Sequence, residues 1–280
     1  MRMMRIAFVP LLFCVLVVGW AWFVAGHIAS TLPRLIDVEG QQIRMLVAGQ
    51  RGPVVVLDTF GAASSDVWGT IQWRCARFGR VLSYDHGGTG GSDPGPRPRD
   101  ARQIAMELHR ALRAAGLEPP YLLVGYSFGG PYSRVFADLF PNEVSGLVLV
   151  DPSQEEMFDW LKRHRPDLNR ISAEERAEQS EFGCTYRSLD QARQARLPAI
   201  PVTLITAMKP FGERDRRLRP QWLASHQRWL KQIPDARHIV TYQSDHGIIW
   251  EEPDLIVDAI RDMVDRVSRL SLHSQTHGDH

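Results

Sequence analysis

The sequence has almost no net charge: 33 Lys and Arg stand against 32 Asp and Glu, a formal +1. That balance gives no basis for a nucleic-acid partner or for long-range steering of a charged substrate. No His-Glu-x-x-His and no cysteine pair at ligand spacing occurs, so no metal is implied. The run Gly87-Gly88-Thr89-Gly90-Gly91 lacks the lysine and spacing of a phosphate loop and reads as a tight loop. No internal repeat breaks the 280 residues, which suit one α/β domain with an insertion.

Charge is missing altogether from Ile6 to Ile28, a run of Leu, Val, Phe and Trp preceded by Arg2 and Arg5. It is long enough to span a bilayer and lacks a good small-x-small exit, so residues 1–30 are expected to form an uncleaved signal anchor. Phe13 before Cys14 argues against a lipid-modified cysteine. The positive-inside rule then keeps Arg2 and Arg5 in the cytoplasm and makes the domain beyond Ser30 extracytoplasmic. Cys75 and Cys184 fall in that exported part, where a bridge or two buried thiols both remain open.

What is present is an alternation of strands and helices. Ile36–Val38 and Ile43–Ala48, separated by Glu39-Gly40-Gln41, read as a hairpin. Val54–Leu57, Arg80–Tyr84, Tyr121–Val124, Gly146–Val150 and Val202–Ala207 are apolar runs of the kind buried on both faces of a parallel sheet. Helical periodicity covers Val67–Phe78, Ile104–Ala115 and Pro131–Phe140. The expected fold is α/β, a doubly wound, mostly parallel sheet. From about 152 to 198 the alternation gives way to charged helical sequence with Phe158, Trp160, Phe182 and Tyr186, a cap-like insertion whose aromatics either line a pocket or pack its core. The alternation resumes with a helix from Gln221 to Ile233, a strand near His238 to Tyr242 and a last helix from Leu255 to Val267. A polar tail, 271–280, is expected to be disordered.

Gly125-Tyr126-Ser127-Phe128-Gly129 sits where the Tyr121–Val124 run meets the next helix. A G-x-S-x-G match alone is weak, but this junction is the sharp strand-to-helix turn that strains a serine and lifts its Oγ above the sheet. The helix N-terminus just beyond it favours a developing oxyanion.

With Asp85-His86-Gly87-Gly88-Thr89-Gly90-Gly91-Ser92 after the Arg80–Tyr84 strand, and Ser244-Asp245-His246-Gly247 before the last helix, the chain from about Leu35 to Leu270 resembles an α/β-hydrolase-fold serine hydrolase. The resemblance implies Ser127 as nucleophile and His246 as general base, with no cofactor and a small acyl compound as substrate. The acid departs from the common pattern, because Met208-Lys209-Pro210 stands where many relatives place Asp. Asp151, directly after Val148-Leu149-Val150, is the leading candidate, with Glu213 and Asp215 as alternatives. The oxyanion donors are expected to be the Phe128 and Phe60 amides, although Asp58-Thr59-Phe60-Gly61 replaces the usual H-G-x. Asp85 is expected to be structural. Arg214, Arg216, Arg217 and Arg219 form a basic cluster, either a solvated face or a contact for anionic headgroups. The reading is a membrane-anchored carboxylic ester hydrolase. A cofactor-free lyase or perhydrolase, and a non-catalytic binding protein or lipid-surface sensor, are the competing readings.

Overall fold

The computed structural model describes residues 32–59, 63–166, 171–212 and 216–276. The expected anchor over residues 1–30 lies outside them, and among the described residues no helix is long and apolar enough to cross a membrane.

Eight strands form one sheet in the order β1-β2-β4-β3-β5-β6-β7-β8. Their ranges are β1 Arg34–Val38, β2 Gln41–Ala48, β3 Val54–Asp58, β4 Arg80–Tyr84, β5 Tyr121–Tyr126, β6 Val144–Val150, β7 Val202–Ala207 and β8 Ala236–Thr241. The β1–β2 and β2–β4 pairs are antiparallel and the remainder of the sheet is parallel. Glu39 and Gly40 close the β1–β2 hairpin with φ of 56° and 90°, the two positive values that a tight turn matched to strand twist requires. Every residue of β3, β5 and β7 is buried, which is why these strands read as unbroken apolar runs.

Helices cover both faces. On one, α2 (Ala101–Ala114) and α3 (Gly129–Leu139) pack over Leu82, Leu123 and Leu147. On the other, α1 (Gly69–Cys75) and the last helix meet Val55, Leu122 and Val148. The Asp100 carboxylate starts α2 by accepting from Gln103 N at 3.0 Å, an N-cap that satisfies one orphan donor. The helix expected over Val67–Phe78 is shorter, because Ser65–Trp68 winds as a 3-10 turn before α1. Between β6 and β7 lie α4 (Glu155–His164), α5 (Ala173–Glu178) and α6 (Thr185–Gln194), and α6 leans on α2 and α3. After β7 come α7 (Arg219–Leu230), β8, the single turn α8 (Ile248–Glu251) and α9 (Pro253–Thr276).

One expectation needs correction, and one open alternative is resolved. The tail is not disordered from residue 271, since α9 runs on to Thr276. Its residues beyond Val267 include no Gly or Pro to stop a helix, and Ser271 Oγ donates to Val267 O. A bridge between Cys75 and Cys184 does not form; both are buried free thiols. Burial pushes the Cys75 thiol up to about 12, well outside the reactive range.

Candidate active site

The turn at Ser127 is built from steric necessity. β5 ends at Tyr126 and α3 starts at Gly129, so Ser127 and Phe128 must reverse the chain within two residues. Ser127 adopts φ +54°, a left-handed conformation uncommon outside glycine and expected where function holds a strained residue. Neighbouring strands pin it: its N–H donates to Val150 O at 3.1 Å, and its carbonyl accepts from Ser153 N at 2.9 Å. A Cβ on Gly125 would collide with Gly129 O, and one on Gly129 would lie 2.6 Å from Asp58 O, so both flanking glycines are needed for close backbone approach.

Three sequence-expected residues fall in one line. Ser127 Oγ lies 3.0 Å from His246 Nε2, and His246 Nδ1 lies 2.7 Å from Asp151 Oδ2. They come from three segments, the β5–α3 turn, the loop after β8 and the end of β6, which the parallel order brings to the same sheet edge. The carboxylate fixes the tautomer: Nδ1 carries the proton and Nε2 is left to accept from the serine hydroxyl. Tyr126 OH donates to His246 O at 2.5 Å and its ring stacks on the imidazole at 5.2 Å between centroids, holding the base from below.

Asp151 is buried and richly solvated by protein. Oδ1 accepts from Trp222 Nε1 at 2.8 Å and Ala207 N at 3.1 Å, while Arg219 Nη1 lies 3.4 Å from Oδ2. Burial raises its pKa, but the hydrogen bond and charge of His246 outweigh this and hold the group below the usual carboxylate range. The alternatives Glu213 and Asp215, and the second oxyanion candidate Phe60, lie outside the described residues. The Phe128 N–H makes no backbone hydrogen bond among the described residues, so it remains available to an incoming oxygen.

Sequence reasoning missed the support of this acid. Arg219, grouped with a basic cluster, is instead buried, with its guanidinium donating to Ala207 O at 2.8 Å. Arg219, Trp222 and His226 are spaced i, i+3, i+7 and therefore share one face of α7, a periodicity that could have identified them. His226 Nε2 donates to Pro152 O at 2.8 Å, so the neutral ring accepts at Nδ1 from the Thr206 hydroxyl at 2.8 Å. That hydroxyl must then accept from His238 Nε2, also at 2.8 Å.

Burial lowers the His226 pKa to about 4. The folded value lies below the unfolded one, so the linked stability is present above about pH 6.5 and disappears as pH falls through about 4. It amounts to about 3 kcal/mol. Urea titrations should therefore show the unfolding free energy falling by roughly that much more in the native chain than in His226→Gln between those pH values. Parallel curves would remove His226 from this role.

A cavity of about 760 Å³ opens over the serine and histidine, walled by Met157, Leu161, Leu218 and Trp222, with Phe211 and Trp250 at its mouth. Of the insertion aromatics, Phe158 packs edge-on against Phe128 at 5.6 Å and Trp160 stacks on His164 at 4.7 Å. Phe182 is exposed beside a second cavity of about 560 Å³.

A buried ionic chain lies at the same sheet edge. His86 Nε2 donates to Asp58 Oδ1 at 2.7 Å and Nδ1 to Glu181 Oε1 at 3.0 Å. Arg99 grips Glu107 with two bonds of 2.7 and 2.9 Å. Burial opposes the charge on His86, but Glu181 and Asp58 outweigh it and raise the ring to about 10, so it is cationic at neutral pH. Asp58, the departure from the H-G-x pattern, thus has a cation as partner. Asp85 is structural as expected, its carboxylate accepting from Ser65 N, Arg44 Nη1 and Gly91 N.

A family model described as the alpha/beta hydrolase fold matches residues 52–170. The chain is 25% identical over 221 residues to the uncharacterized protein YqjL of Bacillus subtilis, covering 77% of this chain and 85% of that one. It is 29% identical over 138 residues to an AB hydrolase superfamily protein of Gibberella zeae, spanning 45% of this chain but only 43% of the relative. Among solved structures, the esterase RhEst1 from Rhodococcus sp. ECU1013 superposes with a TM-score of 0.58 at 20% identity, over 84% of this chain and 99% of that one. With the strand order, the Ser127 turn and these likenesses in agreement, the chain has the α/β-hydrolase fold.

Proposed function

We propose that the protein is a serine hydrolase that cleaves a carboxylic ester, or a related acyl bond, through an acyl-enzyme on Ser127. The observation that carries this reading is the line from Ser127 Oγ through His246 to Asp151, with links of 3.0 and 2.7 Å. His246 Nε2 takes the hydroxyl proton as Oγ attacks the ester carbonyl, and Asp151 stabilises the imidazolium that results. The tetrahedral oxyanion is received by the Phe128 N–H, at the N-terminal end of α3 where the helix field favours negative charge, and by a second amide, for which Phe60 is the candidate. Collapse expels the alcohol, which leaves with the proton from His246. Water, activated by the same imidazole, then releases the acid and restores Ser127.

An ester is favoured because the cavity over Ser127 is apolar, so binding an acyl chain removes hydrocarbon from water without stranding a charge. The esterase RhEst1 shares the fold. Residues 1–30 complete the reading as a signal anchor with the domain outside the cytoplasm, supported by the uncharged run Ile6 to Ile28 behind Arg2 and Arg5.

A fluorophosphonate probe tests the chemistry. The full chain should gain the phosphonyl mass on the peptide carrying Ser127, and preheated protein should not. An unmodified Ser127 in folded protein would refute the proposal.

A further inference from the structure

We infer that Trp222 joins two tasks of this site in one side chain: its indole N–H positions the acid Asp151, and its ring selects the acyl chain. The inference deepens the serine-hydrolase reading and rests on it.

Asp151 must present one particular oxygen, Oδ2, to His246 Nδ1. Its terminal torsion is broad and nearly two-fold, so the side chain alone does not fix which oxygen faces the base. The backbone gives no ease either, since Asp151 adopts φ 40°. Orientation therefore depends on donors to the other oxygen. Two reach Oδ1, the Ala207 amide at 3.1 Å and the Trp222 indole at 2.8 Å. With Oδ1 held, Oδ2 stands 2.7 Å from His246 Nδ1. Asp151 is 0% exposed, so bulk water does not replace a donor that is lost.

The indole is itself held in place. Trp222 lies in the first turn of α7, and Arg219, three residues back on the same helix face, sets its guanidinium 5.9 Å from the ring centroid. His226 and His246 meet the ring edge-to-face, at 5.5 and 6.1 Å between centroids. A ring restrained on several sides gives its N–H one direction, which a free side chain would not.

The same ring walls the cavity over Ser127 together with Met157 and Leu161, which are spaced i, i+4 on one face of α4. Trp222 is half-buried, so part of its surface is left for a ligand. Among the apolar walls of the described cavity, it is the one whose polar edge also reaches Asp151. An acyl chain laid against the ring gains by leaving water, so chain selection and acid orientation meet at this residue.

The test compares the full chain with Trp222→Phe and Trp222→Leu on 4-nitrophenyl acetate and octanoate, each below its own unfolding midpoint. Both variants lose the N–H, so both should lose about tenfold or more in kcat on the acetate while KM stays within about twofold. Leu also loses the aromatic wall, so the octanoate-to-acetate ratio of kcat/KM should fall by about tenfold in Trp222→Leu and by less than about threefold in Trp222→Phe. An unchanged acetate kcat overturns the positioning role, and an unchanged or raised ratio in Trp222→Leu overturns the selection role. A second measurement needs no turnover. The indole 15N–1H signal that disappears in Trp222→Phe should shift and exchange faster with solvent in Asp151→Asn; a signal indifferent to that change overturns the link to the acid. A parent inert to esters and to fluorophosphonate, with that signal still responding, would remove the hydrolase reading and leave the Trp222–Asp151 link standing.

Discussion

Replacing Ser127 by Ala in the full chain should lower kcat on a chromogenic ester by about a millionfold, and His246→Ala should cost about as much. The double variant should be no worse than either single one. The reason is the geometry: with Oγ 3.0 Å from Nε2, nucleophile and base form one device, and removing either part disables it. Activity above the uncatalysed rate would survive through the Phe128 amide and through binding in the cavity. The measurement is steady-state kinetics on protein whose near-ultraviolet circular dichroism matches the parent. Costs that multiply in the double variant would mean that the two side chains act independently, and the acyl-enzyme mechanism would fall.

Asp151→Asn should reduce kcat by about ten-thousandfold. Asp151 accepts from His246, Trp222, Ala207 and Arg219, so its environment supplies donors only. An amide must turn its NH2 towards one of them. Facing His246, it would reverse the tautomer, putting the proton on Nε2 and leaving the serine hydroxyl without an acceptor. Facing Trp222 and Ala207, it would set donor against donor in a buried site, which costs about 1–3 kcal/mol of stability. The kinetic loss is therefore read on protein shown to be folded at the assay temperature. Because Asp151 already holds the His246 ring, Glu213→Gln and Asp215→Asn should stay within about twofold of the parent. A collapse of activity in either one, with Asp151→Asn active, would move the acid to the loop after β7.

The strands were the legible part of this fold. β4 and β7 span Arg80–Tyr84 and Val202–Ala207 as expected; all their residues but Arg80 are buried, so the polar Ser83, Thr203 and Thr206 lie inside the sheet without interrupting the runs. The order Ser127, Asp151, His246 could be read because each residue ends or follows a strand on the same sheet edge. Less legible was whatever depended on pairing across the chain. His86 looked like a loop histidine because its partners are 28 and 95 residues away, and no local periodicity announces them. Arg219 was grouped with its exposed neighbours because charge is visible in sequence and helix face is not until the helix is phased. The last helix runs past Val267 because the polar residues there suit a helix as well as a disordered tail, and composition alone does not separate the two.

The buried chain through His86 also bears on how this protein can be recombined. Glu181 belongs to the segment between β6 and β7, whereas Asp58 and His86 belong to the sheet scaffold. Grafting in a foreign segment that lacks a carboxylate at this point would leave a buried imidazolium with half its counter-charge, and removing one partner of such an ion pair costs about 3–5 kcal/mol. Chimeras that exchange residues 152–198 alone are thus handicapped before specificity is even tested. Libraries that vary positions 58, 86 and 181 together with the transplanted helices keep the two modules compatible.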